Sequence, residues 1–135
     1  MVVVVLIAGT LACMTFQREK VWHDSLALWS DSARINPQSA DSQSGLGGAL
    51  LDAGKPKESV AAFERAIKLR GGHAADDYAG MALSLDAMGE KAKANEAFKK
   101  AVKMDGRYAH PELLVAALIW ERKDAAKLQV IADRN

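Results

Sequence analysis

"AFERAIKLR" fills residues 62–70 and "AFKKAVKMD" fills residues 97–105. They follow one pattern at a shift of 35 (97 minus 62). Extended backwards at that shift, Gly54 meets Gly89, Ser59 meets Ala94, Leu50 meets Leu85, Gly47 meets Ala82 and Leu46 meets Met81. A shift of 34 carries the echo toward the N-terminus, where Trp29 meets Phe63, Ser32 meets Ala66 and Ile35 meets Leu69. Self-similarity at a period of about 20–50 residues marks stacked supersecondary units, each too small to bury its own apolar face.

Within each unit the apolar residues recur at helical spacing. Leu46, Leu50 and Leu51 form one stripe, and Val60, Phe63 and Ile67 another, separated by "DAGKPKES" at 52–59. Gly54 suits a helix C-terminus and Pro56 the first turn of the next helix. Ser39 suits an N-cap, and Asp76 with Asp77 suits the positive end of a helix dipole. Each unit therefore reads as helix, turn, helix. Gly47, Ala66, Ala82 and Ala101 mark close helix approach, with Phe63 and Phe98 filling the space between pairs. In "GLGG" at 45–48, close packing accounts for Gly47 but does not require Gly45 or Gly48. Gly48 is read as bare backbone left for a partner.

The small-residue and aromatic positions of a unit of about 34 residues resemble the tetratricopeptide repeat, over residues 40–106. The resemblance implies an all-α fold, a short right-handed α-solenoid of helix-turn-helix units. It divides the chain into a leading helix at 22–38, units at 40–73 and 75–108, and a degenerate trailing repeat with a capping helix at 109–135. Gly71 and Gly106 stand where the family has a late proline, which predicts looser turns. In such arrays the first helices line a concave groove. That carries onto Asp41, Ser44, Gly48, Leu51 and Asp52 in one unit, and onto Asp76, Ala79, Leu83, Asp86 and Ala87 in the next. The trailing repeat would add Leu113, Ala117 and Trp120. The implied partner is a protein or peptide segment with apolar side chains and some Lys or Arg. Ser44 and Gly48 stand where chaperone-binding members carry basic clamps, which disfavours a chaperone-tail receptor. Self-association stays open.

The residues point away from chemistry. Lys and Arg number 18 against 17 Asp and Glu, so no one-sided field exists to gather nucleic acid. The single cysteine and three scattered histidines, His23, His73 and His110, match no metal-ligand spacing. Neither a nucleophile elbow nor a phosphate-binding glycine motif is present. The expectation is a non-enzyme with no catalytic residue, cofactor or metal.

Residues 1–16, "MVVVVLIAGTLACMTF", carry no charge. Residues 1–17 are read as an apolar membrane-associated segment: the end of a transmembrane helix beginning upstream, a signal peptide, or a lipoprotein leader ending at Cys13. A buried apolar helix is the fourth reading. The following "VWHDSLALWSDSARINPQS" resembles, through Trp22, Asp24, Leu28, Trp29 and Pro37, the junction ahead of the C-terminal repeats of multi-span glycosyltransferase-like membrane proteins. The expected function is thus a membrane-tethered interaction module. Its alternatives are the non-catalytic tail of such an enzyme and a lipoprotein assembly factor. Arg18 and Lys20 favour a cytoplasmic solenoid; the junction favours the extracytoplasmic side, periplasmic in a bacterium, and that side is preferred.

Overall fold

A computed structural model of the chain describes residues 24–110 and 122–134. Among these residues there are six α-helices, one 3-10 turn and no strand. The helices are α1 (Ser25–Ile35), α2 (Ala40–Asp52), α3 (Pro56–Leu69), α4 (Ala75–Ala87), α5 (Lys91–Met104) and α6 (Arg122–Ala132), with the 3-10 turn at Gly106–Ala109. Helices α2 and α3 form one antiparallel hairpin and α4 and α5 the next. α1 packs on α2, α3 on α4, and α6 on both α4 and α5. The N-terminal segment 1–17 lies outside the described residues. Among those described, no helix is long and apolar enough to cross a membrane.

Local chemistry sets the boundaries. Asp24 caps α1 by accepting from the Leu26 and Ala27 amides, and Ser39 caps α2 by accepting from the Ser42 amide. Pro56 opens α3 at a position where its missing N–H costs nothing. Gly54, Gly71 and Gly89 all have positive φ and end α2, α3 and α4 in the same way. The glycine N–H returns to the carbonyl three residues back, and the next N–H returns five residues back, as in Lys55 to Leu50, Gly72 to Ile67 and Glu90 to Leu85, each at 2.9 Å. The looser turn expected at Gly71 is therefore corrected: the left-handed glycine closes this end as tightly as the others. At Gly106 a different device operates, with Asp105 capping the 3-10 turn by accepting from the Arg107 amide.

The core runs along the seams between hairpins. Ala66, Ala79, Ala82, Ala94 and Ala101 are completely buried, and Phe63 and Phe98 nearly so. A side chain at Gly47 would sit 3.0 Å from the Phe63 ring, so the small residue there permits close approach. Gly45 is corrected in the same direction. A Cβ at that position would run into the Trp29 indole, and one at Gly80 would run into the Phe63 ring. An aromatic residue of the preceding helix, Trp29 of α1 or Phe63 of α3, thus rests on a glycine of a hairpin's first helix, at two successive seams.

Candidate functional site

The first helices, α2 and α4, present the face on which a binding groove is expected. Asp41, Ser44, Gly48, Leu51 and Asp52 follow one another up α2. Among the described residues nothing lies within 4 Å of where a Gly48 side chain would start, and Ser44, Gly48 and Leu51 are half-buried. At Gly48, then, no described residue covers the α2 face. On α4 the corresponding residues differ: Ala79 is 0% exposed and Leu83 4%. They belong to the same apolar cluster as Leu128 and Ile131 of α6, both completely buried. Asp86 is half-buried and Ala87 exposed. Leu113, Ala117 and Trp120 lie outside the described residues.

The aspartates expected along the groove edge are engaged. Arg70, at the end of α3, donates to Asp41 over 2.5 Å and to Asp77 over 2.9 Å, joining α2 to α4 across the hairpin seam. Lys123 of α6 reaches Asp52 over 3.0 Å. Arg134, just beyond α6, reaches Asp86 over 2.6 Å. The Tyr108 hydroxyl donates to Asp76. Lys123, Arg134, Arg70 and Tyr108 were not among the groove residues expected from sequence. They come from segments 29 to 71 positions away from their partners, and no local spacing announces such pairs.

Asp77 adjoins this face without opening onto it. Its side chain is fully buried, and burial raises its pKa above the ordinary aspartate value, against the opposing pull of the nearby Ser44 hydroxyl and the Arg70 charge. Asp76 and Asp77 do not act as a pair, since one binds Tyr108 and the other Arg70.

A depression of about 280 Å³ lies among α3, α4 and α5, with Val60, Met81, Leu85 and Met88 in its lining and lysines and glutamates around them. None of the expected groove residues lines it. Among the described residues no group of three or more His, Cys, Asp or Glu side chains could hold a metal ion.

Residues 40–73 and 78–108 match the sequence pattern of the family described as "Tetratricopeptide repeat". No curated protein matches the chain. Among solved structures, the chain is similar to one titled "Crystal structure of MamA", with a TM-score of 0.61 and 23% identity over 90% of this chain and 72% of that one. A second, "Crystal structure of MamA protein", gives a TM-score of 0.61 and 23% identity over 88% of this chain and 66% of that one. At this identity the likeness establishes the fold alone.

Proposed function

The chain is a tetratricopeptide repeat protein, an interaction scaffold by architecture, and from that premise we propose that it binds a peptide segment of another protein along the α2 face. The observation that carries this reading is Gly48. A glycine inside a helix costs about 1 kcal/mol relative to alanine, and among the described residues no neighbour requires it. Bare backbone beside Ser44 and the half-buried Leu51 allows a partner chain to approach closely and to make apolar contact. The module is read as non-catalytic.

Peptides selected from a random library on the full chain test the reading. Binding should be lost on Gly48→Arg, which places a long side chain in the open space, and kept on Lys99→Glu, on the exposed side of α5. Peptides that bind both variants alike would overturn it.

The proposal includes a tether. Residues 1–17 anchor the repeats to a membrane on its extracytoplasmic side, supported by the uncharged run and by the likeness of residues 22–37 to the junction of multi-span glycosyltransferase-like proteins. Release of the full chain from membranes by alkaline carbonate would refute the anchor, and an accessibility reporter fused after residue 135 reads the side. That same junction favours a second reading, the accessory tail of such an enzyme. A reading frame that continues upstream of Met1 through several apolar spans would select it.

A further inference from the structure

We propose that α6 is a built-in occupant of the first-helix face, and that the partner is an amphipathic helix of the same chemistry which displaces it. The inference rests on the groove reading above and specifies what the groove takes. Helix α6 is fastened at both ends to the C-terminal ends of the two first helices: Lys123 near its start pairs with Asp52 at the end of α2, and Arg134 beyond its end pairs with Asp86 at the end of α4. Between these charges Leu128 and Ile131 are completely buried in the cluster that contains Ala79 and Leu83. The ligand chemistry is therefore written in the chain itself: a basic residue, two apolar residues three apart on one helical face, and a second basic residue, set against two aspartates.

Three features make this helix displaceable. It has 11 residues, a length at which an isolated helix is marginal in water. The Lys123–Asp52 pair is about half exposed on both sides, where ion pairs hold weakly. The face it covers over α4 continues into the stretch at Gly48 on α2, where no described residue lies within 4 Å of a Cβ position, so an incoming helix has room to start there. Being part of the same chain, α6 competes intramolecularly with any external ligand. An external helix must therefore match its chemistry and add contacts on α2.

The probe is a fluorescent peptide of residues 122–134, titrated by anisotropy against the full chain and against full-chain Lys123→Glu/Arg134→Glu. The charge-reversed chain should bind the peptide at least about tenfold more tightly than wild type, because its own helix no longer competes. A peptide carrying Leu128→Asp and Ile131→Asp should not bind. Equal affinity for both chains, or none for either, overturns the proposal. Hydrogen exchange on the wild-type chain gives an independent reading: amides of 125–132 should exchange at least about tenfold faster than those of 79–85, and equal protection would show α6 to be an inseparable part of the stack. A wild-type dimer with exchanged α6 helices, detected by light scattering and intermolecular crosslinking, would make a second copy the occupant and overturn a foreign partner. Library peptides sensitive to Gly48→Arg but indifferent to release of α6 would sink this inference and leave the groove standing. Binding of the 122–134 peptide to the released chain, with no Gly48-sensitive library peptide, would do the reverse.

Discussion

Arg70 donates to Asp77 over 2.9 Å, yet the buried Asp77 carboxyl is held above its ordinary pKa because desolvation outweighs the guanidinium. A raised folded-state pKa means that the folded protein binds this proton more tightly than the unfolded chain does. The resulting contribution to stability is fully present below the ordinary aspartate value and is lost as pH rises through the raised one.

Asp77→Asn should therefore be neutral or stabilising at pH 7, since it removes a desolvated charge while retaining an acceptor for Arg70. Relative to this variant, wild type should lose stability as pH climbs across that window and run parallel above it. Urea denaturation at a series of pH values checks both points. A wild type that gained on the variant with rising pH would contradict the assignment.

Two glycines three residues apart should respond to alanine with opposite signs. Gly45→Ala drives a methyl into the Trp29 indole and should cost on the order of 1–3 kcal/mol through overpacking, helix propensity notwithstanding. Gly48→Ala meets nothing among the described residues and should gain about 1 kcal/mol. Denaturation midpoints at unchanged slope separate the two. On the groove reading, the second variant also weakens peptide binding.

The Ser59 hydroxyl donates to the Gly47 carbonyl over 2.6 Å and lies 2.9 Å from the Ser84 hydroxyl, which is itself 2.9 Å from the Gly80 carbonyl. Ser59→Ala should cost about 0.5–1.5 kcal/mol, because Ser84 keeps an acceptor and no buried donor is stranded. The Ser59→Ala/Ser84→Ala double variant should cost less than the sum of the singles, as expected within one network. Thermal denaturation of the three variants provides the comparison.

Ala101 is completely buried on α5. Ala101→Leu should destabilise by on the order of 1–3 kcal/mol, read by urea denaturation, whereas Lys99→Ala on the exposed side should fall within about 0.5 kcal/mol of wild type.

The hairpins were legible because their signals are local. Apolar spacing in α2 and α3, the cap at Ser39, Pro56 at a helix start and left-handed glycines at helix ends each act within a few residues. The Trp29–Gly45 contact was missed because its partners belong to different units, and nothing near Gly45 distinguishes it from Gly48. The aspartate partners escaped for the same reason. Lys123 and Arg134 are ordinary surface cations until folding carries them to Asp52 and Asp86, and Ala79 and Leu83 share an apolar cluster with Leu128 and Ile131 of α6, far away in sequence. Periodicity reports which face of a helix is apolar, and it is silent on which segment covers that face.

The seams also bear on how the array could grow. Trp29 on Gly45 and Phe63 on Gly80 are successive copies of one joint, with partners 16 and 17 positions apart. Counting onward from Phe98 by either interval reaches Leu114 or Val115, and neither offers the bare backbone that this joint requires. Lengthening the protein by gene duplication would therefore succeed most readily by copying a segment that brings its own glycine, so that the aromatic before it again rests on bare backbone.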